Sequence, residues 1–262
     1  MNEKGLQVLE QYDIRLQRSF GGRGSLMLET DQGLKLLKEF AGSQTKLPCE
    51  QALLERLEER RVCGVDRIVP NRSGNLVSTG DYDTPYILKN WPPGRECDPR
   101  NEEELQRSMR TLARIHREAR GVWQLGEEEK RKCAGTERLR ELEKHNRELK
   151  RAQSFIRNRH KKGSFELLFL QCAEAVFRDG RLALVKLEAS GCGELYERAL
   201  REEHVCHGEY IHHNILISRQ ETAVVNFQHF EINVQVNDIC LFLRKIMEKQ
   251  NWNGRLAARM LE

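Results

Sequence analysis

The chain has 262 residues, of which 44 are Lys or Arg and 40 are Asp or Glu, for a net charge of +4. Its 39% hydrophobic content is enough to bury the core of one large domain or of two lobes. No apolar run is long enough to span a bilayer, so no membrane insertion is expected. Met1 to Lys4 opens no signal peptide, and the expected location is the cytosol. The eight cysteines form no CxxC pair, so zinc spacing is absent and free, mostly buried thiols are expected.

Glu3 to Tyr12 reads as a short helix. Asp13 to Ser19, Ser25 to Glu29 and Leu34 to Phe40 read as a three-stranded antiparallel meander with two glycine-containing turns. The first turn, Gly21-Gly22-Arg23-Gly24, is a hairpin turn in any sheet, and also a place where backbone N–H groups can approach an anion. Pro48 to Arg60 reads as a helix with Pro48 in its first turn and Leu53, Leu54 and Leu57 on its apolar side. Val65 to Val69 and Asn75 to Ser78 read as two more strands. Tyr86 to Lys89 reads as an edge or hinge strand, broken by Asn90-Trp91-Pro92-Pro93-Gly94.

Helices follow. Glu102 to Arg117 carries Leu105, Met109, Leu112 and Ile115 at helical spacing, and His116 is expected to pack structurally. Lys130 to Lys162 holds thirteen Lys or Arg against four Glu, so the rest of the chain is net −5. Leu139, Leu142, Asn146, Leu149, Gln153 and Ile156 form a heptad-like seam there, read as one long amphipathic helix packed on a partner at Glu166 to Arg178. The charge raises a polyanion-binding alternative for 130–162. Nucleic acid is disfavoured, because Phe155 is the segment's one aromatic residue and no reader motif is present.

The most informative stretch runs from His204 to Lys245. The polar loop His207 to Asn214 precedes two short β-type runs, Ile215 to Ile217 and Ala223 to Val225, which read as a hairpin bringing Asn214 and Asn226 together. Asp238 then heads an apolar helix. Glu194 to Glu203 reads as a helix leading into this loop, and the chain ends inside another at Leu256 to Glu262, an end that reads as early.

GGRGSLMLETDQGLKLLKEF, YILKNWPPGREC, LARIH, HNRELKRAQSFIRNR with FELLFL, HGEYIHHNILI and NDICLFLRKIMEKQNW together resemble the CotS-type spore coat family, a branch of the aminoglycoside phosphotransferase-like kinases. The resemblance implies an α+β, two-lobed protein-kinase-like fold. Residues 1–89 would form an antiparallel β lobe with one inserted helix. Residues 90–262 would form a mostly helical lobe holding the catalytic-loop-like hairpin 205–228, and family members usually extend further at the C-terminus. It also implies association with coat proteins or coat saccharide, a small-molecule substrate, and a place in the mother-cell cytoplasm and then the coat.

Roles carry over position by position. Lys38 sits where such folds hold the nucleotide phosphates, and Glu50 sits where that lysine's ion-pair partner lies. Gly22 and Gly24 belong to the phosphate-covering turn, and Leu88 to the adenine-binding hinge strand. Glu209 takes the base position, with His207 and Asp238 supporting the loop. Asn214 and Asn226 take the metal positions. The family writes HGDxxxxN followed by DFD, whereas this chain has HGExxxxN followed by NFQ. Asn226 and Gln228 replace the acids that hold a hard Mg²⁺ ion. Weak or absent binding of ATP and Mg²⁺ is therefore expected. The leading reading is a pseudokinase or scaffold, and the alternative is an active phosphotransferase on a small molecule or saccharide.

Overall fold

The computed structural model describes residues 5–22, 25–123 and 126–262. A 3₁₀ turn at Leu6–Gln11 leads into strands β1 (Leu16–Gly22), β2 (Ser25–Thr30) and β3 (Gly33–Glu39). Helix α1 (Leu47–Glu59) follows, then β4 (Gly64–Val65), β5 (Ile68–Val69), β6 (Ser78–Thr79), β7 (Pro85–Asn90) and β8 (Arg95–Glu96). The helical region holds α2 (Glu102–Glu118), α3 (Glu127–Cys133), α4 (Arg138–Arg157), α5 (Ser164–Ala189) and α6 (Cys192–Arg201). It continues through β9 (Val205–Cys206), β10 (Ile215–Ile217), β11 (Thr222–Val224), β12 (Glu231–Ile232), α7 (Val236–Met247) and α8 (Gly254–Leu261).

The meander is present as expected, with β1, β2 and β3 antiparallel in sequence. The sheet continues through β7 to β5, with β6 also on β7. Strand β7 is therefore interior rather than an edge, because Pro85 to Asn90 pairs β3 on one side and the short β5 and β6 on the other. The 65–69 segment is not one strand. Asp66 and Arg67 divide it, and β4 leaves the main sheet to run parallel to β11. Helix α1 buries Leu47, Glu50, Leu53, Leu54 and Leu57. Three of these leucines join α2, the hairpin and α7 in the largest core cluster.

The basic segment is two helices, not one. Between α3 and α4, Ala134 bridges Ile232 and the Gly135 amide donates to the Ile232 carbonyl at 3.0 Å. A Cβ on Gly135 would lie 2.3 Å from the Glu231 carboxylate, so any larger residue would have to push that side chain aside. Within α4 the expected seam holds: Gln153 and Ile156 are buried and face α5, which runs to Ala189, beyond the expected end of the partner helix. On the outer face of α4, Arg140 pairs Glu137, Arg147 pairs Glu143 and Lys144 pairs Glu148. These local pairs use the segment's own carboxylates and leave its surplus of nine positive charges in place.

Candidate phosphotransfer site

The loop His207 to Asn214 is held from beneath by α7. Asp238 is 2% exposed. One of its oxygens accepts from the His207 amide at 2.7 Å, the other from the Gly208 amide at 3.0 Å, and His116 Nε2 lies 2.9 Å away. His116 is thus structural, as expected, and it fixes Asp238 rather than touching the cleft. The His207 ring is buried, with Nε2 3.0 Å from the Val225 carbonyl and Nδ1 accepting from the Glu209 amide at 3.1 Å. Burial pulls the His207 pKa below its ordinary value against the pull of Asp238. Tyr210 anchors the loop to α2 by donating to the Ser108 carbonyl at 2.7 Å. Gly208 adopts φ 80°, a backbone that L side chains rarely take.

The hairpin brings the two asparagines together. Asn226 Nδ2 donates to Asn214 Oδ1 at 2.9 Å, and Asn214 Nδ2 donates to the Glu209 carbonyl at 3.0 Å. The Asn226 contact occupies one of the two lone pairs of the Asn214 side-chain oxygen. Gln228 Oε1 accepts from Lys38 Nζ. Of the three acidic positions that the resemblance implies, Glu209 carries a carboxylate, and Asn226 and Gln228 carry amides. Two neutral amides and one carboxylate offer a hard divalent cation less anionic oxygen than three carboxylates would. Among the described residues no group of three or more His, Cys, Asp or Glu side chains could hold a metal ion.

The structure pairs Glu50 with Lys89, not with Lys38. Lys89 is fully buried, with Nζ 2.8 Å from Glu50 Oε1 and 3.0 Å from Asp66 Oδ2. Register explains the exchange. Lys89 lies opposite Leu36 and Ile68 in the sheet and projects toward α1, while Lys38 is drawn to Gln228. Burial alone would pull the Lys89 ammonium down, but Asp66 and Glu50 overcome it and hold the pKa above its ordinary value. Asp66 Oδ2 also accepts from the Asn226 amide at 3.0 Å, so the triad reaches the turn after β11. Asn226 sits there at φ 67°, a left-handed backbone that Asn tolerates. At Lys38 burial lowers the pKa, the Lys89 charge adds to that, and Asp66, Glu50 and Glu209 offset part of it.

The other expected residues fall as follows. Gly22 lines the cavity over Lys38, whereas Gly24 lies outside the described residues. Leu88 does not face the cleft. It is buried among Val8, Tyr12, Leu28 and Leu37 on the opposite face of the sheet. Cys206 is buried, which pushes its thiol well above its ordinary value, so it is no nucleophile. Lys89, Asp66 and His229 were missed by the motif reading. Lys89 carried a signal, a lone charge in the apolar run YILKN, whereas Asp66 stands beside Arg67 in GVDRIV and did not stand out.

No protein-family model matches the chain, and no curated protein matches it. Solved structures do. An aminoglycoside phosphotransferase from Alicyclobacillus acidocaldarius superposes with a TM-score of 0.79 at 19% identity, covering 97% of this chain and 74% of that one. The AMP-bound spectinomycin phosphotransferase APH(9)-Ia gives 0.64 at 12% identity, covering 90% and 72%. The amicoumacin kinase hAmiN, in complex with AMP-PNP and Ca²⁺, gives 0.60 at 15% identity, covering 98% and 74%. The chain has the two-lobed kinase-like fold, in the form seen in aminoglycoside phosphotransferases and other small-molecule kinases.

Proposed function

We propose that this protein is a pseudokinase that has kept the phosphotransferase scaffold, lost metal-dependent phosphotransfer, and serves as a scaffold or ligand-sensing component of the bacterial spore coat. The hydrogen bond between Asn226 and Asn214 supports this most directly, because two amides face each other at the positions where the resemblance implies metal ligands. The coat assignment rests on the shared segments, above all HGEYIHHNILI and NDICLFLRKIMEKQNW. They point to coat proteins or coat saccharide as partners, and to a route from the mother-cell cytoplasm to the coat. The division at about residues 89 and 90 follows from the same resemblance.

One observation favours the alternative of an active small-molecule kinase. Asp238, His207 and Tyr210 hold the loop around Glu209 in full, which a decaying site need not do. A thermal-shift titration with ATP, with and without Mg²⁺, separates the two. A ligand at a hundred times its Kd stabilises by about 2.7 kcal/mol. The pseudokinase reading expects no Mg²⁺-dependent shift from the natural protein. It expects the Asn226→Asp/Gln228→Asp variant to gain affinity for Mg²⁺. A Mg²⁺-dependent ATP shift in the natural protein would establish the enzyme instead.

A further inference from the structure

Helix α5 carries two apolar stripes, and the fold covers one of them. Ala173 and Phe177 are buried in the packing with α4, with Phe169 and Leu184 half-buried beside them. The Gly180 carbonyl accepts from Asn146 of α4 at 3.3 Å on the same side. Steps of three and four residues set the opposite face: Leu168, Gln171, Ala175, Arg178, Leu182 and Val185. All six are exposed, Leu168 by 57%, Leu182 by 52% and Val185 by 61%. Phe165 and Leu167 widen the patch toward the N-terminal end of the helix. Of the thirteen large apolar side chains exposed among the described residues, six belong to this one helix. A helix that is apolar on opposite faces is normally covered on both, and a concentration of exposed apolar surface marks an association site.

Charge decides what fits there. The strong charge gathers on α4, where Arg140, Lys144, Arg147 and Arg151 recur at steps of four, three and four on the outer face. Two copies would repel each other through that face. Helix α5 itself is nearly neutral, with four acids against three bases, so a strongly acidic or basic partner gains little on it. Its charges are also unevenly placed. Residues 164–176 hold Glu166 and Glu174 and no base, for a net −2. Residues 177–189 hold Arg178, Arg181 and Lys186 against Asp179 and Glu188, for a net +1. An antiparallel copy of α5 sets each half against the opposite charge, whereas a parallel copy sets like against like. The apolar stripe has the same symmetry. About a centre between Val176 and Phe177, Leu168 falls opposite Val185, Gln171 opposite Leu182 and Ala175 opposite Arg178. Glu174 and Arg181, seven residues apart on one flank, would then meet across the axis twice.

We propose that α5 is a self-association surface, along which two copies of this chain pair antiparallel from Leu168 to Val185 and bring two α4–α5 hairpins into one four-helix arrangement. Such a contact is isologous and closes at two copies. The helix has 26 residues and is about 39 Å long. A strip of that length and about 10 Å width covers roughly 400 Å² a side, half of a standard interface, so the dimer is weak, with a Kd in the micromolar range. No residue of the Glu209 loop takes part, so the association is independent of whether phosphotransfer survives.

The test is sedimentation velocity of the full chain in reducing buffer from about 1 to about 200 µM, a range that brackets a micromolar Kd. It is repeated for Leu182→Glu, Glu174→Arg, Arg181→Glu and the Glu174→Arg/Arg181→Glu double variant. The natural chain should pass from monomer to dimer across that range. Leu182→Glu should weaken the dimer by at least about a hundredfold, since twofold symmetry counts the buried charge twice. Each charge reversal alone should weaken it by about tenfold, and the double variant should return to within about threefold of the natural chain, because the exchange restores opposite signs across the axis. All three positions are exposed, and the Arg157 contact of Glu174, at 3.7 Å, is a surface pair of little weight, so the fold does not depend on them. A monomer at every concentration would overturn the proposal and leave the stripe to a different protein or to a lipid surface. A dimer indifferent to Leu182→Glu, or an assembly that grows beyond two copies, would overturn it as well. Loss in both single reversals without recovery in the double variant would overturn the antiparallel pairing. A Mg²⁺-dependent ATP shift would overturn the pseudokinase reading and leave this contact untouched.

Discussion

At Gly208 the backbone carbonyl of His229 would stand 2.0 Å from an added Cβ, and φ is 80°. Gly208→Ala combines left-handed strain with a backbone clash and should cost about 3 kcal/mol or more in urea unfolding. Lys89 is as exacting for a different reason. Lys89→Met leaves Glu50 and Asp66 buried without their cation, so a loss of about 3–5 kcal/mol is expected. The Lys89→Met/Glu50→Leu/Asp66→Asn variant should recover part of it, because removing all the buried charges removes most of the desolvation cost. His212 gives the pH dependence. It is buried, and burial together with the adjacent His213 pushes its pKa down to about 4. A base depressed on folding leaves the unfolded chain holding more protons between the two values. Stability should therefore fall as pH drops from about 6.5 toward 4. His207, lowered in the same direction, adds to this. Tm measured across that range should fall, and His212→Gln should flatten the slope.

Elements with strong local patterns were readable in advance: the meander, the leucine face of α1, the α4 seam and the hairpin β10–β11. Each rests on periodicity within a dozen or so residues. The features that were not readable depend on what a distant segment does. Gly135 interrupts a helical pattern only because Ile232, some hundred residues on, takes its amide. Gly135→Ala should drive the Glu231 carboxylate off Asn233 and cost about 1–3 kcal/mol in chemical denaturation, rather than fuse α3 with α4. The site shows the same division. The loop His207 to Asn214 and its Asp238 support could be placed from sequence. The partner of Glu50 could not, because Lys38 and Lys89 sit on neighbouring strands and only the sheet register decides which meets α1. Val65 and Val69 looked like one strand for a similar reason. Their separate pairings, with β11 and with β7, are set by tertiary contacts.

Across the whole molecule, the two lobes meet through an apolar cluster on one side and a buried ion triad on the other. Asp66 joins the sheet region to the Asn226 turn, while Leu36 and Trp91 join it to Leu216 and Val225. Opening the cleft would expose this apolar surface at about 25 cal/mol per Å². The cleft should therefore stay closed with or without ligand, and amides of β10 and β11 should show hydrogen-exchange protection unchanged by ATP. Leu216→Ala, which removes a 2% exposed side chain at this seam, should cost about 2–5 kcal/mol and raise exchange on both sides of it. The proline pair at 92 and 93 has a practical outcome. A resin that captures kinases by mimicking adenine draws on backbone N–H donors, and neither proline supplies one. Weak retention on such a resin is the expected outcome, readable by comparing the flow-through with the eluate.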